Sequence, residues 1–259
     1  MSLVTQADIA SIRTDRLAIA AAGALPSVTL SDDYIWAKIQ AAEAELQHDL
    51  RVFFEPTIIV PDDAAQTELD ALEAAGQPWA QEAAYDYQND FFSLGKWGQM
   101  QLNHKPLVSV QSISFAYPTT HSTVYDVPKE WIRLDKRKGL VQIVPSSGTL
   151  ALPVSGYVLQ FLGGTTVPMM IQARYTAGLT NAAQNWPDLV DVIKKKAVLS
   201  IISDAYLPQS GSISADGLSQ SMSVDMEKYH DMIDMKINGR KGGNGGLRTA
   251  IHGITLGVM

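Results

Sequence analysis

Six serines stand in the fourteen residues of SGSISADGLSQSMS (210–223), and a serine becomes a nucleophile wherever a base can take its proton. The histidines that could act as that base, His48, His104, His121, His230 and His252, are scattered, and none lies within the stretch. They form no HExxH or His-x-His pattern with metal-ligand spacing. There is no GxSxG elbow, no Walker loop and no strand–GxGxxG–helix. GRKGGNGG (239–246) superficially resembles a phosphate cradle, but it has neither the preceding strand nor the Lys-Ser/Thr pair, so it reads as a flexible hinge. Asp32/Asp33 and Asp62/Asp63 are adjacent pairs that diverge on a helix, which suits the positive end of its dipole better than acid–base work. SADGLSQS carries one acidic side chain where a calcium loop needs several. The basic runs KKK (194–196) and DKRKG (135–139) read as a solvated helix face and a hairpin tip, and His104 and His121 as surface histidines. The expectation is a chain with no catalytic residue, no metal and no cofactor, hence not an enzyme. The enzyme alternative is a serine hydrolase built on the 210–223 serines.

Composition sets wider bounds. With 46% hydrophobic and 18% charged residues over 259 positions, the chain can bury a sizeable core. It has no cysteine, which removes disulfides and thiolate chemistry. No apolar run approaches the ~20 residues that span a bilayer, and MSLVTQADIASIR lacks the basic and apolar regions of a signal peptide. The net charge of −7 is uneven: residues 1–100 hold 5 Lys/Arg against 16 Asp/Glu, whereas residues 101–259 hold 15 against 11. An acidic chain is poorly suited to gripping phosphates, although DNA can slide past such a surface.

The elements that would position any site follow from periodicity. Thr5 and Asp8 mark a short first helix. In SDDYIWAKIQAAEAELQHDLRVFF, Ser31 is a cap and Ile35, Ile39, Ala42, Leu46, Leu50 and Phe53 form one stripe, with Pro56 as the stop. DDAAQTELDALEAAG has only a thin apolar face and reads as a surface helix or insertion. The aromatics Trp79, Tyr85, Tyr87, Phe91 and Phe92 read as packing. Period two begins near Gln99, in QMQLNHKPLVSVQSISFAY, EWIRLDKRKGLVQIV, SGYVLQFL and MMIQARYTAG, with a hairpin turning at Lys136–Gly139. Helical period returns in WPDLVDVIKKKAVLSIISDAYLP, with Leu189, Ile193, Ala197, Ile201 and Ala205 on a stripe, and in DMEKYHDMIDMKIN. The expected fold is α+β: a helical bundle core, an inserted antiparallel β unit, an extended serine-rich hairpin or loop and a C-terminal tail. The divisions are 1–98 (helical, with insertions), 99–176 (β-rich), 177–238 (core helices with the arm 210–224) and 239–259 (tail).

Taken in order, several segments resemble the head–tail connector (adaptor) proteins of tailed double-stranded-DNA bacteriophages. SLVTQADIASIR and SDDYIWAKIQAAEAEL are similar to that family's opening helices, and LNHKPLVSVQSI to its Pro-Val-x-x-Val strand. AYDY continues the series, and WIRLDKRKGLVQIV is similar to the family's strand–turn–Gly–strand. ARYTAGLTNAAQNWPDLVDVIKKKAVLSIISDAY is similar to its most distinctive part, a Tyr-x-Ala-Gly turn before a Pro-Asp-Leu helix, and SISADGLSQSMS to the serine-rich loop that follows. Segments 15–30 and 60–80 depart from the family as insertions, and the tail is long. The resemblance implies a homo-oligomer, typically a dodecameric ring, located at the head–tail interface of the virion after assembly in the host cytoplasm. Its partners would be the portal protein, a downstream neck or tail protein, and genome DNA passing through the channel without sequence-specific binding. Another virion structural protein, for tail completion or capsid decoration, is the alternative.

On this reading the serines mark strand period rather than catalysis. Asp216-Gly217 is a favoured hairpin turn, and Ser212, Ile213, Asp216, Gly217, Leu218 and Met222 become an arm toward a neighbouring subunit or the channel. Leu247, Arg248, Ile251, Ile254, Leu256 and Val258 are the candidate portal- or partner-docking tail.

Overall fold

The computed structural model describes residues 3–13, 30–88, 90–92, 96–117, 123–146, 166–205, 226–239 and 245–253. The fold is α+β, and the chain divides into two compact units, residues 1–50 with 181–259 and residues 51–180.

The first unit is helical. Helix α1 (Asp8–Ser11) starts where the Asp8 carboxylate accepts both the Thr5 N–H at 2.9 Å and the Thr5 hydroxyl at 3.0 Å. Helix α2 (Asp32–Leu50) is capped by Ser31, whose Oγ accepts the Tyr34 N–H at 3.2 Å. It buries Ile35, Ile39, Ala42, Leu46 and Leu50, the stripe expected from spacing. The helix ends at Leu50 rather than at Pro56, because Arg51 turns left-handed with φ 53°. Phe53 therefore belongs to the other unit. After a single turn, α4 (Ala182–Asn185), helix α5 (Pro187–Ala205) packs on α2 and buries Leu189, Val192, Ile193, Ala197, Val198, Ile201 and Ile202. Helix α6 (Met226–Asn238) lays Ile233 and Ile237 inward, and α7 (Leu247–His252) packs against α6.

The second unit is built on two sheets. Strands β1 (Thr57–Pro61), β2 (Trp79–Glu82), β3 (Tyr85–Gln88), β5 (Leu107–Ala116), β6 (Thr123–Asp126) and β9 (Thr166–Ala177) form the larger, in the order β2-β1-β9-β5-β6 with β3 also on β9. Strands β4 (Met100–Gln101), β7 (Ile132–Asp135) and β8 (Leu140–Ile143) form the smaller, in the order β4-β8-β7. The β7–β8 hairpin turns at 136–139, where Gly139 has φ +71°, as its sequence predicts.

Among the described residues, three strands precede Gln99, where alternation first becomes obvious. TIIVP is a short apolar run, a pattern that does not by itself separate strand from buried helix. β1 and β2 are parallel, so the chain must cross over between them, and α3 (Gln66–Ala74) is that crossover. The segment that reads as a surface helix or insertion is thus a surface helix, and it serves as the crossover of a β-α-β unit. The remaining pairs are antiparallel.

The core lies between the sheets. Ile113, Phe115, Ile171, Ala173 and Tyr175 of the larger meet Met100, Leu102, Trp131, Val141 and Ile143 of the smaller side. Tyr87 and Phe91 join it, with ring centroids 5.6 Å apart. SGYVLQFL lies outside the described residues.

Candidate functional site

The most concentrated polar chemistry in the β unit gathers on Glu82, at the end of β2, whose side chain is only 6% exposed. Tyr85 donates its hydroxyl to Oε1 at 2.8 Å, and Tyr175 donates its own to Oε2 at 2.9 Å. Asn103 Nδ2 lies 3.4 Å from Oε2 and His104 Nε2 lies 3.8 Å from it. The hydroxyls are themselves acceptors: Tyr85 takes the Asn103 N–H at 2.9 Å and Tyr175 the His104 N–H at 3.3 Å. The His104 ring also stacks on Phe53, centroids 4.9 Å apart. It is half-buried, not the surface residue its context suggested.

The members arrive from β2, β3, β9 and the loop between β4 and β5. Strand alternation turns Tyr175 to the same face as Ile171 and Ala173. The β1/β2 and β1/β9 registers set Ala80 level with it across Ile59, and Glu82, two residues further along on the same face, is within reach of its hydroxyl. The 103–104 loop then closes over both. Burial, followed by the Glu82 charge, pushes the Tyr85 hydroxyl far above its ordinary value. Burial, with Tyr85 and Glu82 adding to it, does the same for Tyr175. Both hydroxyls therefore stay protonated at any physiological pH and act as donors rather than nucleophiles. The arrangement holds protons in place and ties a loop to a sheet.

Tyr175 also begins the Tyr-x-Ala-Gly run. Ala177 is fully buried, and Gly178 has φ +125° with a Cβ position 2.3 Å from the Glu55 carbonyl oxygen. Gly178 N–H donates to Pro106 O and Leu179 N–H to Phe53 O, each at 2.9 Å. The residue types of the run are thus set by hydrogen bonding and close backbone approach.

The three consecutive lysines of α5 correct the solvated-face reading. Successive helical residues lie about 100° apart, so Lys194, Lys195 and Lys196 fan toward different neighbours. Lys194 pairs with Asp8 of α1, Lys195 with Asp191 at 2.7 Å, and Lys196 with Glu45 and Asp49 of α2 at 2.9 and 3.1 Å. Lys236 of α6 shares Asp191 at 2.8 Å. The lysine side chains are 15–19% exposed, so this run is a clamp between helices and not a phosphate-binding strip. Lys136, Arg137 and Lys138 are exposed at the β7–β8 tip, as expected.

The arm residues Ser212, Ile213, Asp216, Gly217, Leu218 and Met222 lie outside the described residues, as do Ile254, Leu256 and Val258 of the tail. Leu247 and Ile251 are buried within their own unit, and Arg248 Nε donates to Asn238 Oδ1 at 2.9 Å. His252 Nε2 donates to the Leu50 carbonyl at 2.6 Å. The flanks of the glycine run are in close contact: a Cβ at Gly239 would lie 1.8 Å from Gly245 O. Among the described residues, no group of three or more His, Asp or Glu side chains could hold a metal ion. None of the described helices is long and apolar enough to cross a membrane.

No protein family matches the chain, and no curated protein matches it. Among solved structures it is similar to a chain from the neck of an empty GTA particle computed with C6 symmetry, at 14% identity over 88% of this chain and 92% of that one, with a TM-score of 0.37.

Proposed function

We propose that this chain is a structural virion protein, a head–tail connector that forms a ring beneath the portal of a tailed phage and extends the DNA channel. One observation carries the reading: connector-like motifs follow one another in the family's order from residue 2 to about 230. Several of them fall on discrete elements of the described residues. The segment similar to the family's Pro-Val-x-x-Val strand, here Pro106-Leu107-Val108-Ser109-Val110, leads into β5. The strand–turn–Gly–strand is β7–β8, and the Tyr-x-Ala-Gly run ends β9 shortly before the Pro-Asp-Leu helix α5. The neck chain of low TM-score is compatible with this reading but is not what supports it.

On this proposal the protein works by assembly and performs no catalysis. The saturated Glu82 network and the internally paired α5 lysines are in keeping with that, since both hold structure together. Electron microscopy of the intact neck is the direct test. A cyclic oligomer of this chain seated on the portal is expected. A chain found at the tail tip or on the capsid surface would instead favour a tail-completion or decoration role, and one that stays monomeric even with portal present would sink the connector reading.

A further inference from the structure

Charge in the β unit is segregated along the sequence. Residues 52–95 hold nine acidic side chains and no Lys or Arg, whereas residues 96–138 hold seven Lys or Arg against three acidic side chains. Strand β9 separates Asp63 and Glu68 of the acidic stretch from the basic hairpin by face, whereas Glu82 sits on the hairpin's side, bonded to Tyr175. Ile171, Ala173 and Tyr175 turn toward the smaller sheet, which carries the β7–β8 hairpin. Gln172 and Arg174 turn the other way. There Gln172 donates to Asp63 at 2.6 Å, and Arg174 makes a two-pronged bond with Glu68 of α3 at 2.9 and 3.1 Å. Helix α3 and the hairpin therefore lie on opposite faces of the larger sheet.

Helix α3 contains no buried residue, and Asp70 and Glu73 are exposed on it, with Asp62 exposed just before. The hairpin tip exposes Lys136, Arg137 and Lys138, its turn braced by the Lys138 N–H donating to Asp135 Oδ1 at 3.2 Å. We propose that the outer side of α3 docks the 136–138 hairpin tip of a second copy of this chain. Pairing like faces by a two-fold axis would set acid against acid or base against base, so complementarity favours head-to-tail contact. Such contacts close into a ring when the rotation permits. The ring itself rests on the connector reading, while the contact stands on the charge layout.

The test uses the full chain in analytical ultracentrifugation at low and high salt. The wild type self-associates at low salt and dissociates as salt screens the contact. Lys136→Glu/Lys138→Glu and Asp70→Lys/Glu73→Lys each weaken association at least about tenfold. An equimolar mixture of the two variants recovers it, because each supplies the face the other has lost. Lys136→Gln/Lys138→Gln gives an intermediate loss and covers a reversal that fails to fold. A wild type that is monomeric at low salt, association indifferent to both reversals, or loss without recovery in the mixture overturns the proposal. Imaging of the neck judges the connector reading separately: a ring there with charge-indifferent association removes only this contact, and a charge-swap rescue without a neck location removes only the connector.

Discussion

Moving an ionised carboxylate out of water costs several kcal/mol unless hydrogen bonds replace its hydration. Glu82 meets that requirement with two tyrosine hydroxyls and an asparagine amide drawn from three other segments of chain. Tyr175→Phe removes a donor from Glu82 and an acceptor from His104 N–H together, and should lower unfolding free energy by about 1–3 kcal/mol in urea titrations. An unchanged midpoint would show that water replaces the hydroxyl. The same tyrosines predict an alkaline limit. A tyrosine titrates near 10 when unfolded, and the folded state raises Tyr85 and Tyr175 above that. Their contribution is therefore full below about pH 10 and lost as pH rises past it, by up to about 1.4 kcal/mol per pH unit for each. Ultraviolet difference spectra should show them protonated after exposed tyrosines have ionised, and a single common titration near 10 in the folded protein would contradict this. None of this was legible in the sequence, because Glu82 and Tyr175 are 93 residues apart and meet only through strand register.

At the scale of elements, local signals served well. The stripe of α2, the Ser31 cap and the β7–β8 turn each depend on residues within a few positions of one another. The α5 lysines were misread because a run of like charges says nothing about acids arriving from other helices. The thin apolar face of α3 marks a surface helix, and the helix buries no residue; its role as a crossover is set by the parallel pairing of β1 with β2 and not by its own residues. A crossover helix with no buried side chain is held chiefly by its polar bonds to the sheet. Glu68→Gln should therefore speed amide hydrogen exchange in residues 66–74 while leaving β9 protected. Equal exchange in both proteins would mean that Leu69 and Leu72, although only partly buried, suffice to hold the helix.

For the whole molecule, the division into two units says where the chain can be perturbed independently. Each unit has its own buried residues, and the β unit occupies residues 51–180 within the helical sequence. Its two ends meet inside the unit itself, at the bond from Leu179 N–H to Phe53 O. That junction has a consequence in time. Helices α2 and α5 pack on each other yet are separated by about 130 residues, and closing so long a loop from an unfolded chain carries a length-dependent entropic cost of about 4 kcal/mol. A β unit that has already folded presents the two ends side by side and removes most of that cost. The β unit should accordingly form first, with the helices following. Pulse-labelled exchange during refolding checks the order. Gly178→Ala, which forces a Cβ against Glu55, should delay protection of α2 and α5, whereas Leu46→Ala should leave the appearance of β5 and β9 unchanged. The backbone contact at Gly178 would then act as a checkpoint, since the helices can pair readily only after it has closed.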